Sequence, residues 1–162
     1  LLVISMKKKL SIIIIAIFGI VLDQISKLYI ASNLILYKKN PIINNFFNIT
    51  YVQNKGAAWG ILDGNTVFLV LITLIALFII IRFIFKEENL TKLDILSYGL
   101  LLGGITGNFI DRILRGFVID FLDFYIFGYD FPVFNIADIM IVVSVIIMVI
   151  SYLRGDINEN KS

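Results

Sequence analysis

The chain contains neither cysteine nor histidine. Without cysteine there is no disulfide, no thiolate nucleophile and no cysteine-based metal site. Without histidine the usual general base and the commonest zinc ligand are both missing. Any chemistry therefore falls to Asp, Glu, Lys, Ser, Thr or Tyr. Charge is scarce as well. Only 16% of the 162 residues are charged and the formal net charge is +2, which gives no basis for a nucleic-acid partner. Apolar residues are abundant instead, at 59%, more than a soluble domain of this size can hide.

The apolar residues fall into four spans, at about 10–31, 66–85, 93–114 and 132–153. Each is close to the ~20 residues needed to cross hydrocarbon. The expected fold is an all-α integral membrane protein with four transmembrane helices. Residues 6–153 form one polytopic domain, residues 1–5 read as an N-terminal extension before Met6, and 154–162 as a cytoplasmic tail. The Lys7-Lys8-Lys9 run followed by apolar residues also has the look of a signal peptide. No small-residue cleavage site follows it, so a retained first helix is expected.

Lysine and arginine placement sets the orientation. Lys7, Lys8, Lys9, Arg82, Lys86, Lys92, Arg154 and Lys161 fall on one side, so both termini are expected in the cytoplasm. Every polar residue that interrupts a span then lies at the outer leaflet. The 33–65 segment lies outside the membrane too. Within it, Phe47–Val52 alternates and is rich in β-formers, which predicts a short strand pair in a small extracytoplasmic β-rich platform between helices 1 and 2. Gly56, Gly60 and Gly64 supply bends. The 115–131 segment is dense in aromatics, reads as interfacial and could act as a lid.

Carboxylates in these apolar surroundings are costly and point to function. Asp120 lies in Phe117-Val118-Ile119-Asp120-Phe121, and Asp138 in Phe134-Asn135-Ile136-Ala137-Asp138. If they meet at one membrane edge, they can share a proton and divide acid and base work. By itself Asp138 reads equally as a helix cap, and Asp120 takes its weight from Asp138. Asp123 and Asp130 read as solvated, idle carboxylates. Asn108 and Arg112 are four apart, on one helix face behind the small residues Gly103, Gly104 and Gly107. Asn135 and Asp138 also share a face. Asp23 and Lys27, again four apart, read equally as an ion pair at a helix end and as part of the site. Ser26 and Lys27 point about 100° apart on a helix, so they make a poor nucleophile pair. Ser144 has no evident base.

In order, Leu22-Asp23-Gln24 through Lys27, Asn54-Lys55-Gly56-Ala57-Ala58-Trp59-Gly60, Gly104–Asn108 with Asp111-Arg112, Gly116–Phe121 and Phe134–Asp138 resemble the lipoprotein signal peptidases, or signal peptidase II. These are bacterial membrane aspartyl peptidases, and the resemblance covers nearly the whole chain from Met6 to about Leu153. It implies that Asp120 and Asp138 are the catalytic dyad. It also implies that Asp23, Asn54, Gly56, Asn108, Arg112, Asn135 and Ala137 surround it, and that no metal or other cofactor takes part. The implied substrate is a prolipoprotein carrying a diacylglyceryl-Cys, cleaved before that Cys. The implied setting is a monomer among membrane lipids in the bacterial cytoplasmic membrane, with its active site at the outer leaflet. Trp59 stands where the family typically has Phe. The alternative from composition is a small proton-coupled four-helix transporter, which predicts a mid-span Glu. Glu87, Glu88 and Glu159 all lie in segments expected to be cytoplasmic.

Overall fold

The computed structural model describes residues 2–56 and 64–159. Residues 57–63, which include Ala57, Ala58, Trp59 and Gly60, lie outside the described residues. The elements run α1 (Leu2–Asn33), β1 (Lys39–Ile43), β2 (Phe47–Asn54), α2 (Thr66–Lys86), α3 (Lys92–Arg115), β3 (Val118–Ile126), β4 (Tyr129–Asp130) and α4 (Ile136–Glu159). All four helices are long and apolar enough to cross a membrane. The protein is therefore a multi-pass membrane protein with a small antiparallel sheet.

The least apolar helix, α3, is the centre of the bundle. It packs along α1 on one side and α4 on the other, while α2 leans on α3, meets α1 where Ile84 packs with Ile12, and is otherwise largely exposed. Glycines let α3 come this close. A Cβ on Gly103 would sit 3.1 Å from the Ala16 carbonyl oxygen of α1, and one on Gly104 only 2.5 Å from the Ala137 carbonyl oxygen of α4. In lipid, where apolar burial gives no drive for association, such backbone proximity supplies the packing.

Local chemistry fixes the ends of α3. Thr91 caps its start: the Thr91 hydroxyl accepts from the Asp94 amide, and the Asp94 carboxylate accepts from the Thr91 amide. Gly116 ends it in the left-handed region at φ 77, and its N–H closes on the Arg112 carbonyl. The chain then turns straight into β3. At the opposite end of the bundle, Lys8 and Lys9 donate to the carbonyls of Leu90 and Phe85 at 2.8 Å, placing cations where α2 ends.

The sheet has the order β1-β2-β3-β4 and is antiparallel throughout. The strand pair expected at Phe47–Val52 is present as β1 and β2. The aromatic segment after α3 forms strand β3, paired along β2. The platform therefore draws on both long connections. Ile119, Phe121 and Tyr51 pack with Ile30 of α1, which seats the sheet on the bundle.

Helix α4 begins at Ile136 rather than at Pro132. The Phe134 carbonyl accepts from the Phe121 and Leu122 amides, and the Phe134 amide donates to Leu122. That backbone is committed to β3, so the helix starts only after it. Asn135 then caps α4. Its side-chain oxygen accepts from the Asp138 amide at 3.0 Å, and the Asp138 carboxylate accepts from the Asn135 amide at 3.1 Å.

The approach of α3 to α4 is testable. Gly104→Ala drives a methyl against backbone rather than a yielding side chain. We expect it to destabilise the protein by about 1–3 kcal/mol, read as a lower unfolding midpoint in detergent. An unchanged midpoint would mean that the two helices are not held this closely.

Candidate active site

The ends of α1 and α3, the start of α4 and the near end of the sheet converge at one end of the bundle. Asp120 arrives on β3 and Asp138 in the first turn of α4. They are linked by Asn135, whose Nδ2 donates to Asp120 Oδ1 at 2.6 Å while its backbone N–H donates to Asp138 Oδ2. Asn54, from the end of β2, donates to Asp120 Oδ2 at 2.9 Å. Asn108, from α3, donates to Asp138 Oδ1 at 2.8 Å. Each of the four carboxylate oxygens thus receives one amide donor.

Asp120 is only 2% exposed. Burial, reinforced by the negative charge of Asp138, pushes its carboxyl up to about 7. The donors from Asn54 and Asn135 pull the other way and are outweighed. A buried acid poised near neutrality beside a second carboxylate is what proton exchange with a bound water requires.

Each expected site residue has a definite place. Asn108, Arg112, Asn135 and Asn54 surround the pair. Arg112 donates to the Gly56 carbonyl at 3.1 Å, and the Gly56 amide donates to Asn54 Oδ1 at 2.9 Å, so Arg112 steadies the turn that carries Asn54. Asp23 does not reach the pair. Its Oδ1 accepts from the Ala137 amide at 3.0 Å, one of the free N–H groups in the first turn of α4. Ala137 thus contributes its backbone to a tie between α1 and α4.

Behind the pair lies a buried ionic cluster. Lys27, with no exposure, sits 2.8 Å from Asp23 Oδ2 and 3.1 Å from Asp111 Oδ2, and donates to Asn108 Oδ1 at 2.8 Å. Asp111 also pairs with Arg115 and accepts from the Ile119 amide at 3.0 Å, next to Asp120. Gln24 donates to both acids. The ion pair Asp23–Lys27 and the site are therefore one structure, not alternatives. Sequence reasoning set Asp111 and Gln24 within its motifs but missed that they and Arg115 support the site. Their signal was there: two acid–base pairs with i,i+4 spacing, one at the same end of each of two spans.

The expectation of a solvated Asp123 is overturned. Asp123 is fully buried on the sheet, accepts from Thr50 Oγ1 at 2.6 Å and lies 3.6 Å from Lys39 Nζ. Asn48 lies opposite Asp123 across the ladder, and Thr50, two residues on, shares its face, while one extra residue in β2 shifts the register between Ile49 and Val52. Asp130 is exposed, as expected, but pairs with Lys39 at 3.4 Å.

A cleft of about 840 Å³ opens beside the pair. Asn54, Asn108, Arg112, Asp120 and Asp138 form its polar end, and Ile139, Val142 and Val143 of α4 carry an apolar wall away from it. Among the described residues, no group of three or more His, Cys, Asp or Glu is placed to hold a metal ion.

The chain matches the family model described as signal peptidase (SPase) II over residues 15–154. It is 42% identical to the lipoprotein signal peptidases of Staphylococcus aureus strains JH9 and Newman over 149 residues, covering 92% of this chain and 91% of each relative. Two solved bacterial membrane enzymes, both determined by the in meso method, have the same fold. One superposes with a TM-score of 0.84 at 42% identity, covering 91% of this chain and 90% of its own. The other gives 0.79 at 43%, covering 88% and 92%. With the match running through all four helices and the sheet, this chain belongs to the signal peptidase II family of membrane peptidases.

Proposed function

We propose that the protein removes signal peptides from diacylglyceryl-modified prolipoproteins, hydrolysing the amide just before the lipid-bearing cysteine with Asp120 and Asp138 as an aspartyl dyad. The observation that carries this reading is the bridge through Asn135, which holds both carboxylates by one residue at the polar end of the cleft. Family membership supports the peptidase activity and the prolipoprotein substrate. It also weighs against a small transporter.

The division of labour follows from the surroundings. Asp120, buried and raised to about 7, starts protonated. Asp138 sits in the first turn of α4 and accepts two amide donors, and it is assigned the role of base. Asp138 takes a proton from water as the water oxygen bonds to the scissile carbonyl carbon. Asp120 gives its proton to the carbonyl oxygen. The tetrahedral intermediate then collapses: the C–N bond breaks, the nitrogen receives the proton held by Asp138, and the hydroxyl proton returns to Asp120. The signal peptide leaves with a new carboxylate, and the lipidated cysteine keeps the free amine. Asn54, Asn108 and Asn135 hold the carboxylates through these transfers, and Arg112 keeps Asn54 in place.

The apolar wall along Ile139, Val142 and Val143 suits acyl chains that remain in lipid while the amide reaches the polar end. The basic Lys7–Lys9 run, at the far end of the bundle, supports cytoplasmic termini and an active site at the outer leaflet of the bacterial cytoplasmic membrane. Residues 6–153 then act as one domain, and as a monomer, since one chain supplies both carboxylates.

In cleavage of a diacylglyceryl-modified prolipoprotein peptide, Asp120→Asn and Asp138→Asn each lower turnover by about 10²- to 10⁴-fold, and a chelator leaves it unchanged. Wild-type turnover in either variant would rule out the dyad. The pH profile is the second test. Asp120 loses its acid form as pH rises through about 7, so kcat/KM falls above that value, by about tenfold per pH unit. A profile level from neutrality to pH 9 would contradict the assignment of Asp120 as the acid.

A further inference from the structure

We propose that Lys27 is a positioning residue for catalysis, which fixes the Asn108 carboxamide so that its NH2 group faces Asp138. This inference rests on the dyad reading above. Lys27 is fully buried and does not line the cleft, so it has no direct route to substrate. Its one direct hydrogen bond to a group that holds the pair is to Asn108.

The argument concerns the direction of hydrogen bonds. An ammonium only donates. Lys27 Nζ lies 2.8 Å from Asn108 Oδ1, so that end of the carboxamide has to be its oxygen. The opposite end, the NH2, is thereby aimed at Asp138 Oδ1 at 2.8 Å. A backbone amide does the same for the second carboxamide: the Asp138 N–H donates to Asn135 Oδ1, which turns the Asn135 NH2 toward Asp120. Two groups that cannot accept thus orient both asparagines. Every amide in the site points its donor at a carboxylate.

Removing the cation reverses that direction at Asn108. Without Lys27, Asp23 and Asp111 keep their carboxylates and lose the ammonium between them. The NH2 of Asn108 is then drawn toward these acids. The 3.1 Å donor from Asn135 Nδ2 and the accepting Asp138 carboxylate still favour the original orientation, against the two acids that draw it the other way. After the flip a carbonyl oxygen faces Asp138, and the carboxylate that should take the water proton is repelled instead of held. Simple ionic bonding of α1 to α3 would make Lys27 matter for stability alone. The positioning role makes it matter for turnover through Asn108.

A double-mutant cycle on the full chain, with diacylglyceryl-modified prolipoprotein peptide as substrate, separates the two. Lys27→Met is expected to lower kcat about 100-fold with KM within about twofold of wild type. In an Asn108→Ala background the same change should lower kcat by less than about threefold, since the path is already cut. An equal factor in both backgrounds would overturn the proposal, and so would a Lys27→Met enzyme within about threefold of wild type. Because Lys27→Met leaves two acids facing one another, the cycle is repeated in an Asp111→Asn background, which lowers that charge; the same non-additivity is expected there, and additivity there also overturns the proposal. Asp138→Asn is the reference arm. If it retains turnover, the dyad reading itself fails. If it is inactive while Lys27 and Asn108 act additively, only the role given to Lys27 fails.

Discussion

A lysine ammonium with no path to water has to find every partner inside the protein. Lys27 finds three: Asp23 on its own helix, and Asp111 and Asn108 on α3. An unpaired charge there would cost several kcal/mol, so α1 and α3 cannot separate or slip without exposing it. Much of the site follows from that constraint. Asp111, held by Lys27 and Arg115, still accepts from the Ile119 amide and so sets where β3 leaves the bundle, one residue before Asp120. Asp23, held by the same lysine, reaches the Ala137 amide and sets where α4 begins, one residue before Asp138. Each carboxylate of the pair is thus preceded by a backbone N–H anchored to the buried cluster.

The start of α4 shows how little separates a structural device from a chemical one. The first amides of any helix lack intrahelical partners. Here the Asp138 amide bonds Asn135, the Ala137 amide bonds Asp23, and the Asn135 amide bonds the Asp138 carboxylate. The cap that ends the search for partners also turns the Asn135 carboxamide toward Asp120. Asp138 is both a capping residue and a member of the pair, and neither role excludes the other.

The four spans were legible because lipid imposes a length and a composition that hydropathy reads directly. Asp120, Asp138, Asn108, Arg112 and Asn135 stood out because polar groups in apolar runs are costly, and helical spacing put Asn108 with Arg112 on one face. Other features depend on which elements meet, which spacing alone does not report. Pro132 is a fair start signal, but the Phe134 backbone is taken by β3, so α4 begins later. Asp123 looked solvated because its neighbours are interfacial aromatics. Its burial depends on the pairing of β3 with β2, a matter of contact between distant segments. The supports Asp111 and Arg115 look like a surface pair until α1 brings Lys27 against them.

The connections on this side of the bundle contribute unequal but indispensable parts. Asn54 and Gly56 come from the segment between the first two helices, Asp120 and Asn135 from the segment between the last two, and α2 supplies none of the groups around the pair. During synthesis, therefore, no fragment short of α4 holds both acids of the pair. After two helices the chain has Asp23, Lys27 and Asn54 without either acid of the pair, and α3 brings Asn108 and Arg112 with neither acid. Only when α4 has entered and its first turn has met Asp23 and Asn108 do the two acids stand together. On the dyad reading proposed above, hydrolytic power arrives only with the last step of the protein's own insertion, and a half-built copy cannot cut its neighbours.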